Sequence, residues 1–181
     1  PDAAAAQRVF LALNLDDRAA GWRRLDPWPG PERILATAGE VGGVFCLVSG
    51  ARLVPGADGK VGREWLRDAY AFTPSGGWRR LADLPRVAVG APSPAPTVGS
   101  KLWVLGGDDG SQAQVAPTAH RGFCRDVLAL DLAKNSWTVV GELPFALVTT
   151  STALWQGRVV VPGGERLPGT RSTAVWVRQS N

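Results

Sequence analysis

Three glycines constrain this chain more than any other feature. Gly50, Gly107 and Gly164 each close a short apolar run, Val44 to Gly50, Leu102 to Gly107 and Val159 to Gly164, and they stand 57 residues apart in both steps. A fixed period of this size means like units stacked side by side, because no unit can bury its apolar face alone. A second series keeps the same beat: Gly21-Trp22-Arg23-Arg24-Leu25, Gly77-Trp78-Arg79-Arg80-Leu81 and Ser136-Trp137-Thr138-Val139-Val140, each running on to a proline, Pro29, Pro85 or Pro144. A third precedes each Trp: Val9 to Leu15, Asp68 to Phe72 and Asp126 to Leu132, with Ser172 to Val177 as a fourth member. The last series, Ile34 to Val41, Ser93 to Val98 and Thr149 to Trp155, opens each unit. It is followed by Gly42-Gly43, Gly99-Ser100 or Gln156-Gly157, small turns suited to the positive φ of a tight hairpin. All these runs are short and mostly apolar, as strands buried on both sides must be.

The repeat is therefore four antiparallel strands, with Gly-Gly ending the second, an aromatic in the third and a Trp in the fourth. This pattern resembles the kelch motif, and it predicts an all-β chain: a kelch-type β-propeller of about three four-stranded blades. Residues 1–29 end one blade, 30–85 and 86–144 form two full blades, and 145–181 form an incomplete one. The count is thirteen strands, whereas a propeller typically closes with about four to eight blades of four. Open edges invite further pairing, so the remaining blades, or another copy, are expected to close the ring. The repeated Trp and Gly residues are assigned to packing, the Trp between blades and the glycines where blades crowd together.

Composition narrows the function. With 45% hydrophobic and 20% charged residues the chain is expected to fold. Its net charge of +4 is spread among acidic residues, so no basic stripe points to nucleic acid, while an anionic small ligand is compatible. No stretch reaches the ~20 apolar residues of a membrane span. The start, Pro1-Asp2-Ala3-Ala4-Ala5-Ala6, has no charged n-region and no initiator Met, which reads as a processed or truncated piece. Cys46, inside Val44 to Val48, reads as a small buried hydrophobe; Cys124 lies at a loop-to-strand junction, and a disulfide is neither demanded nor excluded. His120 is the single histidine. It cannot build a multi-His metal site, so no metal or other cofactor is expected and His120 is given no role.

Strand parity gathers the longer connections on one face. These are Ala51 to Arg67, Asp108 to Arg125 and Glu165 to Arg171, joined by Gly30-Pro31-Glu32-Arg33 and the Pro-rich Arg86 to Pro96. Binding residues concentrate on such loops. Here Gly164-Glu165-Arg166-Leu167-Pro168-Gly169-Thr170-Arg171 resembles the Gly-Glu-x-x-Pro-Gly-x-Arg segment of the N-acetylneuraminate epimerase (sialic acid mutarotase) family. Pro29-Gly30-Pro31-Glu32-Arg33, Gly106-Gly107 and Gly141-Glu142-Leu143-Pro144 fall where that family has comparable segments.

The resemblance implies a six-bladed propeller, periplasmic or secreted, that interconverts the anomers of a sugar acid; this chain would be the C-terminal half of a circularly permuted member. It also implies that Glu165 and Arg171 are the catalytic pair. Arg33, Arg52, Asp108, Asp109 and Arg121 are candidate substrate-binding residues at the same mouth, with a solvated loop charge as the alternative for each. Glu165 and Arg171 can equally be read as a surface ion pair, worth about 0–1 kcal/mol. The competing function is a non-catalytic kelch module that binds protein or carbohydrate. A copper-radical oxidase resembling galactose oxidase would need two Tyr, two His and a crosslinking Cys, and one Tyr with one His do not supply them.

Overall fold

A computed structural model describes residues 4–57 and 59–179. Its strands fall into four blade sheets. The first pairs β1 (Phe10–Leu13) with β2 (Trp22–Leu25). In the second, β3 (Thr37–Val41), β4 (Val44–Val48), β7 (Ala69–Thr73) and β8 (Gly77–Arg80) lie in that order. The third consists of β9 (Thr97–Val98), β10 (Lys101–Gly107), β11 (Cys124–Asp131) and β12 (Ser136–Glu142), again in sequence order. The fourth has three strands, β13 (Ala153–Trp155), β14 (Arg158–Pro162) and β17 (Val175–Gln179). All pairings within these sheets are antiparallel.

Two further hairpins lie outside the blades: β5 (Ala51–Pro55) with β6 (Val61–Trp65), and β15 (Glu165–Leu167) with β16 (Thr170–Arg171). Both occupy connections that the repeat leaves as loops. Helix among the described residues is limited to two 3-10 turns, Arg18–Ala20 and Pro117–Ala119.

The apolar runs are continuous because each inner strand is covered on both faces. Leu102 and Val104 of β10, with Leu128 and Leu130 of β11, pack toward the second blade against Val41, Cys46, Val48, Ala69 and Ala71. Their alternate neighbours Leu105 and Val127 face the other way, onto Val159 and Val161 of the fourth blade. This is the two-residue alternation of a pleated strand.

The fourth-strand Trp residues join successive blades. Trp78 Nε1–H donates to the Asp26 carbonyl (2.8 Å) and Trp137 Nε1–H to the Ala82 carbonyl (2.9 Å), each at the exit of the preceding blade. Trp22 lies in the first blade sheet and is 67% exposed. The glycine beat has a steric cause as well. Gly50, Gly107 and Gly164 sit at φ +106°, +101° and +108°, and a Cβ on them would come within 2.9 Å of the Ile34 carbonyl oxygen, 2.8 Å of the Ala88 Cα and 3.1 Å of the Thr150 Cβ.

One substrate-binding expectation fails here. Arg33 is not at the mouth but in the core, where its guanidinium makes two hydrogen bonds to Asp68, 2.8 and 2.7 Å, and a third to the Ser49 carbonyl, 2.9 Å. Its side chain is 1% exposed, so its charge is spent on holding the blade together. An equivalent clamp recurs one blade on, where Arg86 grips Asp126 at 2.5 Å.

Candidate functional site on the loop-rich face

The face is built by repetition. Just past each recurring glycine, one residue forms a bridge with the segment entering that blade: Ala51 with Ile34, Asp108 with Val89, and Glu165 with Val148. Paired backbone hydrogen bonds of 2.8–2.9 Å close each bridge. Ala51, Asp108 and Glu165 are thus equivalent positions, and they emerge on the same face. A second relay crosses between blades: Gly90 N–H donates to the Leu35 carbonyl (2.8 Å) and Thr149 N–H to the Gly90 carbonyl (2.7 Å). Leu35, Gly90 and Thr149 all adopt positive φ, 55°, 64° and 52°.

Glu165 and Arg171 lie directly opposite each other across the β15–β16 hairpin. Their charged groups approach to 3.7 Å, with the Arg171 side chain 67% and the Glu165 side chain 19% exposed. Thr149 links them: its hydroxyl accepts from Arg171 Nη1 at 3.1 Å and donates to Glu165 Oε2 at 3.4 Å. The other carboxylate oxygen accepts from Gly169 N–H at 2.7 Å. The carboxylate is held in place from two sides, while the guanidinium beside it stays largely exposed. The sequence reading missed Thr149, although its place in the inter-blade series beside Leu35 and Gly90 was available from the repeat.

The other candidates spread over the same face. Asp108 uses Oδ1 to accept from Gly110 N–H (2.9 Å), and Asp109 accepts from Ser111 N–H (2.9 Å). Burial, the largest single influence, would raise the Asp109 pKa, but hydrogen bonds from Ser111 and the charge of Arg86 outweigh it and leave the carboxyl below its usual value. Arg52 is tied to Glu32 (3.0 Å) and Glu64 (3.6 Å) on the exposed β5–β6 hairpin. Arg121 lines a cavity of about 440 Å³ with Arg166, Phe145 and Trp176.

A larger cavity of about 570 Å³ opens between the three insertions. Arg63 and Trp65 line it from β6, Asp108, Gln112 and His120 from the long loop, and Pro168 from the tip of the β15–β16 hairpin. No cluster of three or more His, Cys, Asp or Glu that could hold a metal ion occurs among the described residues. None of their helices is long and apolar enough to cross a membrane.

Comparison with known proteins fits this architecture. Residues 90–144 match the kelch motif family model. The N-acetylneuraminate epimerase of Yersinia enterocolitica is 29% identical over 94% of this chain and 50% of its own length, and that of Yersinia pestis strain Pestoides F is 32% identical over 92% and 49%. The Haemophilus influenzae (strain 86-028NP) protein of that name is 28% identical over 90% and 49%. The chain thus spans about half the length of these curated relatives. The solved structure of YjhT superposes with a TM-score of 0.70 at 18% identity, over 88% of this chain and 53% of that one, which supports the fold.

The fold and its repeats define a kelch-type β-propeller chain. Within that class, the chain resembles the N-acetylneuraminate epimerases.

Proposed function

We propose that this chain supplies part of the active site of a sugar mutarotase, one that interconverts the anomers of N-acetylneuraminic acid or a related sugar acid. The observation that carries the reading is the Glu165–Thr149–Arg171 arrangement: an oriented carboxylate beside a largely exposed guanidinium. The likeness to epimerases supports it. In the reaction, Glu165 takes the proton of the anomeric hydroxyl while the bond from the anomeric carbon to the ring oxygen breaks and that oxygen takes a proton from water. The open-chain carbonyl turns, the ring oxygen adds back to its other face, and the protons return. Such general acid–base assistance contributes typically ~10²- to 10⁴-fold. Arg171 holds the sugar's carboxylate through two parallel hydrogen bonds, a geometry that Lys cannot reproduce.

The remaining blades, on the same polypeptide or another copy, complete the pocket in this reading, and the protein works in the periplasm or outside the cell. The test is kinetic, in the natural polypeptide that carries these residues. Glu165→Gln is expected to lower turnover with little loss of sugar binding, and Arg171→Lys to weaken binding chiefly. Normal turnover by Glu165→Gln removes Glu165 from this role. Sugar binding without turnover in the wild type favours the alternative, a kelch carbohydrate-binding module.

A further inference from the structure

The Glu165–Arg171 pair makes no use of the cavity between the three insertions. Its volume of about 570 Å³ falls within the ~300–1,000 Å³ typical of small-molecule sites. His120, one of its lining residues, is 9% exposed and so is not a solvated loop histidine. Its Nδ1 accepts the Gly122 N–H at 3.1 Å. With Nδ1 occupied as an acceptor, Nε2 is the ring nitrogen left to donate. Among the described residues nothing accepts from it, yet every fully buried side-chain nitrogen or oxygen there has a partner. Nε2 is therefore open to solvent space.

Two more groups have unused capacity. Arg63 has no ion-pair partner among the described residues, and it lines the same cavity. Asp108 spends Oδ1 on Gly110 N–H, which leaves Oδ2 to accept. The remaining wall is apolar, with Trp65 seated against Gly110 and Pro168 opposite. Two donors and one acceptor around an apolar floor suit a chain of hydroxyl-bearing carbons: carboxylate and donor groups meet the hydroxyls, and the rings cover the C–H faces.

We propose that this cavity is a specificity subsite for the polyhydroxylated tail of the sugar acid, with His120 donating to it through Nε2. The inference rests on the sugar-acid reading for its ligand, but not on the catalytic role of Glu165. Pro168 belongs to the hairpin that carries Glu165 and Arg171, so one element joins the reacting end to the tail.

The experiment compares N-acetylneuraminic acid with its tail-shortened form, prepared by periodate oxidation and borohydride reduction of the methyl glycoside followed by acid release of the free sugar, in the natural polypeptide. Binding is read by calorimetry for wild type and His120→Asn. Asn keeps an acceptor for Gly122 N–H but places nothing where Nε2–H was, and an unchanged melting temperature shows the loop intact. The wild type is expected to prefer the full sugar. His120→Asn is expected to lose about tenfold in affinity for it, as one lost hydrogen bond implies, and to bind the shortened sugar as the wild type does. His120→Gln, which retains a donor near Nε2, is expected to recover part of the loss. Equal affinity of His120→Asn and wild type for the full sugar overturns the proposal, as does a wild type that binds neither sugar. Tail-dependent binding without acceleration of anomer exchange leaves the subsite standing and removes the mutarotase reading; acceleration with an indifferent His120→Asn does the reverse.

Discussion

Replacing Asp68 by Ala should destabilise the fold more than loss of any charge on the loop-rich face. Asp68 receives two hydrogen bonds from Arg33, 2.8 and 2.7 Å, and one from the Tyr70 hydroxyl, 2.7 Å. Without the carboxylate, a guanidinium whose side chain is 1% exposed keeps only the Ser49 and Pro31 carbonyls and the faces of Trp28 and Tyr70. Breaking a buried pair in this way costs about 3–5 kcal/mol. At about 2–4 °C per kcal/mol for a chain of this size, the melting temperature should fall by about 6–20 °C. Glu142→Gln is the control, because Glu142 pairs at 3.7 Å with a side chain 71% exposed, and exposed pairs are worth about 0–1 kcal/mol.

The same pair sets a pH dependence. Burial, the largest single influence, opposes ionisation of Asp68, but hydrogen bonds from Arg33 and Tyr70 and the charges of Arg33 and Arg80 prevail and hold its carboxyl below the ordinary value. A depressed folded pKa gives stability that is present above the unfolded value, about 3.9, and lost as pH falls through the folded one. Thermal melts followed by tryptophan fluorescence should show the Asp68→Ala deficit shrinking below about pH 4. An Asp68→Ala chain melting within about 2 °C of wild type at pH 7 would refute the reasoning.

Two further outcomes are expected. Trp137→Phe should cost about 1–3 kcal/mol by leaving the Ala82 carbonyl unpaired, whereas Trp22→Phe should be nearly neutral because Trp22 is 67% exposed; equal losses in chemical denaturation would contradict the inter-blade role of the repeated Trp. Burial pushes both thiols up to about 11, so at pH 8 about 0.1% is thiolate, and iodoacetamide should label Cys46 and Cys124 far more slowly in the native chain than in urea; rapid native labelling counted by mass spectrometry would contradict it.

The blades were legible because their signal is periodic. The 57-residue glycine spacing, the Trp series and the two further apolar series in step with them locate all thirteen blade strands, since a strand buried on both faces must be short and apolar. The accessory hairpins were not legible, because β6 runs Val61-Gly62-Arg63-Glu64-Trp65 and is mostly exposed, so no burial pattern marks it. Glu165 and Arg171 stood out by resemblance, and the hairpin register explains their spacing. Arg33 misled because an arginine in a Gly-Pro-Glu-Arg loop looks solvated; only the fold reveals Asp68, 35 residues on, as its partner. His120 was passed over for the converse reason: its loop is polar in sequence, yet its ring is buried against Phe123 at 5.2 Å.

The most direct test of the functional account follows freshly released α-N-acetylneuraminic acid by proton NMR as it relaxes to the β anomer, with and without the natural polypeptide. The account predicts relaxation faster than the spontaneous rate, in proportion to protein concentration, and a reduced rate with Glu165→Gln. Relaxation at the spontaneous rate with the intact wild type would contradict it.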